Sequence, residues 1–258
     1  MQKYQILDPV KAAQDIIRQL NIRKPKEIVV ELIAETRGAT VVESVLTSAE
    51  GRLVRRGKRG KITVPSNEKN VGRKRFSIGH ELGHFELHSH LTSYVACNKV
   101  DMADFYGYKK REKEANEFSA ELLMPSTLFS PLVIKKKPNM KLIQDLSDKF
   151  NTSITATACR YIKITNEPCA LVYSVNGQVE WFIKNDFPFF LKKKGDFIDE
   201  YSFAYDAFNG NGDNPSGAKV SASSWAISDD SRLDNIEIME STLFLEYYNA
   251  TITLLWQP

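Results

Sequence analysis

The sequence predicts an α+β fold on three observations. Apolar side chains recur at helical spacing, with capping residues and prolines between the runs, over 8–36 and again over about 72–164. Short strand-like runs punctuated by glycine separate those two stretches. From about Asn166 the helical period gives way to alternating runs and turn signals, which predicts a mainly antiparallel C-terminal part. The expected domain map is 1–130, a helical segment at 131–165, and an α+β unit at 166–258.

The elements follow in order. Asp8-Pro9 starts the first helix, with the acid as N-cap and proline at the first helical position; Ala12, Ala13, Ile16, Ile17 and Leu20 follow at helical spacing. Pro25 resets the chain, and a second helix is expected from about Lys26 to Thr36 with Ile28, Leu32 and Ile33 buried. Strands are expected at Ala39 to Glu43, Arg52 to Arg55 and Lys61 to Val64. The last reads either as an internal strand or as an edge on which an extended substrate pairs. A helix from about Gly72 to Ser89 comes next, then a looser segment from Leu91 to Tyr108, then a helix ending at Met124-Pro125.

Short helices continue to about Ile164. Leu142 to Ser147, the turn Phe150 to Ser153 and the helix from Ile154 have the rhythm of a helix-turn-helix. The second of these helices offers Thr155, Thr157 and Arg160, thin chemistry for reading bases, and a pair of helices closing a core is the plainer reading. Ala170 to Tyr173 and Val179 to Ile183 flank Asn176-Gly177, a hairpin signal. Asn209 to Gly217 reads as a loop; Ile236 to Ile238, Leu243 to Tyr248 and Thr251 to Trp256 read as strands.

Composition narrows the function classes. At 258 residues the chain can bury a full core in one large domain or two smaller ones. No apolar run is long enough to span a bilayer, so no membrane partner is expected. Met1 to Gln5 leads into a polar amphipathic stretch with no signal-peptide core. Cys97, Cys159 and Cys169 are few, odd in number and outside C-x-x-C spacing, which points to a reducing cytoplasm. The net charge of +3 is uneven: Arg52 to Arg75 is crowded with lysine and arginine against one acid, Glu68. Such a patch attracts nucleic acid or an acidic partner, or is a solvated hairpin with basic flanks; it has no aromatic before Phe76 to support stacking on bases.

One pentapeptide states a chemistry. His80-Glu81-Leu82-Gly83-His84 is H-E-x-x-H, and two imidazoles four residues apart share one helix face within reach of one zinc ion. Glu81 then lies beside the metal as a general base. Gly79 and Gly83 each precede a histidine and each costs a helix about 1 kcal/mol, which suggests close approach of another backbone, or of substrate, to that face. A catalytic zinc needs a third protein ligand, with water in the fourth position. His88 lies eight residues from His80, about 80° further round the helix, and suits a supporting role better than a ligand. A later carboxylate is the better choice: Glu112 shares a face with Ala115, Asn116 and Ser119, whereas Glu114 and Glu117 point elsewhere and read as solvated charges.

Two motifs together resemble the ImmA/IrrE family of metallopeptidases. They are Arg75 to His84 ending in Leu87-His88, and Glu112-x-x-Ala115-Asn116-x-Phe118-x-Ala120-x-Leu122-Leu123-Met124-Pro125. The resemblance covers most of 1–130 and implies a zincin-like peptidase domain, with one Zn2+ (or another divalent metal in vitro) held by His80, His84 and Glu112, and Glu81 as base. It also implies a helix-turn-helix-like middle segment and, in the IrrE branch, a sensor-like C-terminal domain of GAF type. His88 and Asn116 are candidates for supporting the ligands; Tyr94, Tyr106, Tyr108 and His90 are candidates for a transition-state donor.

The expected activity is a zinc endopeptidase. The resemblance implies limited cleavage of a helix-turn-helix repressor in a stress-response or mobile-element switch. The competing expectation is a non-catalytic regulator that binds DNA or a repressor, its zinc purely structural and closed by a fourth protein ligand, with Cys97 the cysteine lying between the two motifs. A third is an antitoxin-like or defence-system partner using the same site.

Overall fold

The computed structural model describes residues 8–46, 50–88, 95–97, 110–227 and 231–258. Two compact units divide the chain: one reaches Phe129 and includes Asp148–Ser153, and the other takes Ser130–Ser147 and Ile154–Pro258.

In the first unit, α1 spans Pro9–Gln19. The Asp8 side chain accepts from Lys11 N at 3.0 Å, as the capping pattern predicts, and Ala13, Ile16 and Ile17 are buried. Leu20 lies past the helix end and is exposed. The second helix is shorter than expected: a 3-10 turn at Pro25–Glu27 precedes α2 at Val30–Thr36. Val30, Ile33 and Ala34 form its buried face at i, i+3 and i+4, and Leu32, two residues from Val30, is turned about 200° away. Ile28 and Ile33 are buried as expected, but Leu32 is 58% exposed.

The small sheet comprises β1 (Ala39–Ser44), β2 (Gly51–Arg56), β3 (Arg59–Pro65) and β4 (Val95–Cys97), in the order β1-β3-β2-β4. β1 runs parallel to β3, and the other pairs are antiparallel. β3 therefore lies inside the sheet. That overturns the reading of Lys61 to Val64 as an edge for substrate, because both its ladders are already occupied. Ile62 and Val64 of β3 and Leu53 of β2 are buried.

Helix α3 (Val71–Leu87) packs on this sheet and is capped by Asn70, whose side chain accepts from Arg73 N at 3.0 Å. Helix α4 (Lys110–Leu123) packs along α3, and its far side receives α1, where Gln14 donates to Glu121 at 3.0 Å. The chain continues through α5 (Ser126–Val133), α6 (Met140–Phe150) and α7 (Ile154–Ile164). On α7, Thr157 and Arg160 are buried and Thr155 is half-buried, so two of the three side chains that would face a DNA groove are committed to the interior.

The second unit holds a five-stranded sheet in the order β6-β5-β9-β8-β7, antiparallel throughout. Its strands are β5 (Cys169–Val175), β6 (Gln178–Lys184), β7 (Asn214–Ser221), β8 (Glu237–Leu245) and β9 (Ala250–Trp256). Asn176 and Gly177 adopt φ of 50° and 76°, the left-handed pair that a two-residue hairpin requires. Two expectations need correction. The end of the supposed loop at Asn209 to Gly217 is the start of β7; of the runs expected at Ile236 to Ile238 and Leu243 to Tyr248, residues 237–238 and 243–245 belong to one strand, β8, and Glu246–Tyr248 form a 3-10 turn. Glu240 and Thr242 interrupt the apolar alternation and hide that continuity, since both are fully buried polar residues. Helix α8 (Phe203–Phe208) packs on β8 and β9.

Candidate metal centre

Three ligand atoms converge where α3 meets α4. His80 Nε2 and His84 Nε2 are 3.1 Å apart, and each lies 3.3 Å from Glu112 Oε2. Both histidines are buried and Glu112 nearly so. Ligands about 2.0–2.1 Å from a tetrahedral zinc are separated by roughly 3.4 Å, so the spacing fits one ion without rearrangement. Among the described residues this is the one cluster of His, Cys, Asp and Glu able to hold a metal. The donor set is two imidazoles and a carboxylate, the chemistry of a zinc site with a position left for water.

Residues from the same two helices support the ligands. His80 Nδ1 is 2.8 Å from Asn116 Oδ1. His84 Nδ1 is 3.0 Å from His88 Nδ1, and His88 Nε2 is 2.9 Å from Glu114 Oε2. Glu114 was expected to be a solvated charge; instead it is largely covered and paired with His88. His88 is the C-cap of α3 and has left the helical path, so helical spacing misplaces it and its partner.

Close packing makes the convergence possible. A Cβ on Gly79 would stand 2.5 Å from Ser119 Oγ, and one on Gly83 would stand 3.1 Å from Ala115 Cα. The two glycines before the histidines thus admit α4, the close backbone approach that their helix cost suggested. Glu81, about two residues round the helix from the glycines and close enough to His80 to act on its charge, is fully buried under Gly51 of β2, where an added Cβ would stand 2.5 Å from Glu81 Oε1. The sequence marked Gly51 only as punctuation between strands. Tyr94, Tyr106, Tyr108 and His90 lie outside the described residues.

Residues 34–161 match a peptidase-family model described as the IrrE N-terminal-like domain. This chain carries an IrrE N-terminal-like domain. Both motifs fall inside it, so the ImmA/IrrE resemblance of the sequence holds. A comparison with curated proteins gave no match. Among solved structures, a Mycobacterium tuberculosis transcriptional regulator is similar in fold, with TM-score 0.60 and 14% identity over 97% of this chain and 76% of that one.

The electrostatics of the IrrE-like centre favour a cation. Burial disfavours a protonated His80, but Glu112, with Glu81 and Asn116, outweighs it and holds the His80 pKa above the ordinary imidazole value. At His84 burial prevails, helped by His80 and His88, and the pKa falls despite Glu112. Burial alone would raise Glu112, yet hydrogen bonds from His80 and His84 hold it well below the usual carboxylate range. With the two Nε2 atoms only 3.1 Å apart, both cannot carry a proton there. One cation, a proton or a metal, must satisfy the converging lone pairs.

Elsewhere in the domain, much of the basic stretch is structurally committed. Arg73 pairs with Glu50, Lys74 with Glu43 at 2.9 Å, and Arg75 donates to Ile28 O at 2.8 Å. Arg55 donates to Phe85 O at 2.5 Å and lies over its ring at 4.4 Å. The exposed remainder is Arg56, Lys58, Arg59 and Lys61 around the β2–β3 turn, and Lys69 before α3. Among the described residues no helix is long and apolar enough to cross a membrane.

Proposed function

We propose that this chain is a zinc-dependent endopeptidase that makes limited cuts in a protein substrate, a helix-turn-helix repressor, within a cytoplasmic stress-response or mobile-element switch. The observation that carries the reading is the convergence of His80, His84 and Glu112 at 3.1–3.3 Å beside the buried carboxylate of Glu81. Zinc in this site supplies Lewis acidity toward a peptide carbonyl and makes a water acidic enough to attack near neutral pH. Glu81 takes the proton of the attacking water and delivers it to the leaving amine. Its burial under β2 keeps the carboxylate away from bulk water and fixed in direction. Tyr94, Tyr106, Tyr108 and His90 are the candidates for a donor to the developing oxyanion.

The test is to trap the partner with Glu81→Gln, identify it by mass spectrometry and incubate it with each form plus zinc. Wild type is expected to cut it once or a few times. Glu81→Gln is expected to be slower by about 10²–10⁴-fold with zinc affinity unchanged. Equal survival of the partner with both forms removes the peptidase reading.

The second reading, a non-catalytic regulator with structural zinc, draws on the fold shared with a transcriptional regulator, a likeness of fold alone at 14% identity. Four protein ligands on the metal, and salt-dependent DNA binding unaffected by Glu81→Gln, would favour it.

A further inference from the structure

We propose that His88 and Glu114 form a positioning relay that presents the Nε2 lone pair of His84 to the metal; the proposal rests on the zinc reading above. Proton counting carries it. His84 Nε2 faces His80 Nε2 at 3.1 Å and Glu112 Oε2 at 3.3 Å, so it must be unprotonated when a metal is held. The ring proton of neutral His84 then sits on Nδ1, 3.0 Å from His88 Nδ1. His88 Nδ1 must accept, which puts the His88 proton on Nε2, 2.9 Å from Glu114 Oε2. A carboxylate only accepts, so Glu114 ends the chain and gives it one direction. No other arrangement of neutral rings lets His84 turn a lone pair toward the metal while the His84–His88 and His88–Glu114 contacts each have one donor and one acceptor.

The two metal-binding histidines therefore differ. His80 is oriented by an amide oxygen, Asn116 Oδ1, which cannot donate. His84 is oriented by an imidazole, which can do either. Without Glu114 to hold its Nε2–H, His88 is free to place its proton on Nδ1. The 3.0 Å contact then demands that His84 carry its own proton on Nε2, in the metal position. His88 is 5% exposed, so water is a poor substitute for the lost partner. Glu114 thus reaches the metal through the tautomers of two rings, the kind of outer-shell support whose removal commonly weakens metal binding about 10–100-fold.

The experiment uses the full chain and two readouts. Imidazole nitrogen–proton correlation spectra of the zinc-free protein report the tautomers. Competition with a fluorescent chelator reports zinc affinity. Wild type is expected to show His84 protonated on Nδ1 and His88 on Nε2. Glu114→Ala is expected to mix the tautomers of both rings and weaken zinc about 10–100-fold at an unchanged unfolding midpoint. Glu114→Gln, whose amide oxygen still accepts from His88, is expected to recover most of the loss, a rescue that simple packing damage would not follow. Zinc affinity in Glu114→Ala within about twofold of wild type, or wild-type His84 protonated on Nε2, overturns the relay alone. A wild type that takes up no zinc overturns the metal-centre reading and the relay with it.

Discussion

Gly51→Ala is the most local way to disturb the proposed base. The added Cβ would stand 2.5 Å from Glu81 Oε1, 2.9 Å from Cγ and 3.1 Å from Cδ. Ordinary van der Waals contact begins at 3.4 Å, so the carboxylate or the strand must give by about 0.9 Å, the difference between 3.4 and 2.5. Glu81 is fully buried and has no solvent to swing into. A misplacement of about 1 Å in a reacting group commonly costs about 10²-fold, or close to 3 kcal/mol of barrier. The backbone itself does not object, since alanine is favoured over glycine in a strand by about 0.5–1 kcal/mol. The assay is kcat/KM for cleavage of the trapped partner, with zinc affinity as control. The expected result is a loss of about 10²-fold with zinc affinity intact, because the three atoms nearest the new methyl all belong to Glu81. Cleavage within about threefold of wild type would refute the placement of Glu81 under β2. Loss of zinc would show that the damage is not local.

Two further outcomes follow from the packing and from a buried acid in the second unit. Gly83→Ala puts a Cβ 3.1 Å from Ala115 Cα and 3.2 Å from Ala115 O, backbone atoms that cannot rotate away. Overpacking of about 1–3 kcal/mol is offset by about 1 kcal/mol of helix propensity, so a modest fall in stability is expected. Displacement of the α4 backbone also carries Glu112 away from the histidines, so zinc binding should weaken by more than stability does; chelator competition and urea melts check both. Glu240 is fully buried, and burial, against hydrogen bonds from Trp225, Ala204 and Thr242, pushes its carboxyl up to about 7. Its folded pKa thus lies above the unfolded value. The stability it contributes is complete below about pH 4.5 and is lost as pH rises through about 7. The total is on the order of 3 kcal/mol. Urea midpoints of the wild type should therefore fall between pH 5 and pH 8, with a flatter profile in Glu240→Gln; parallel profiles would contradict this.

Much of the centre was legible because its spacing is local. H-E-x-x-H fixes two imidazoles on one helix face, and the two glycines signal the close approach that brings in α4. The Asp8-Pro9 cap and the Asn176-Gly177 turn are also short-range codes, and both appear as read. What escaped depends on contacts between distant segments. Sheet order places β3 inside the first sheet, and no pattern within Lys61 to Val64 reveals its neighbours. Gly51 resembles any turn glycine until Glu81 is seen beneath it. Glu114 looked solvated because the face argument paired α4 with a continuing α3, whereas His88 caps that helix and reaches the adjoining face. Buried Glu240 and Thr242 broke the apolar rhythm of β8 and made one strand read as two.

The central claim is a three-ligand metal centre beside Glu81, and X-ray absorption of the zinc-loaded chain tests it most directly. The account predicts one zinc per chain, about four N and O neighbours near 2.0–2.1 Å, two of them imidazoles, no sulfur, and loss of tight binding in Glu112→Ala. A sulfur neighbour, four protein ligands, or full zinc affinity in Glu112→Ala would contradict it.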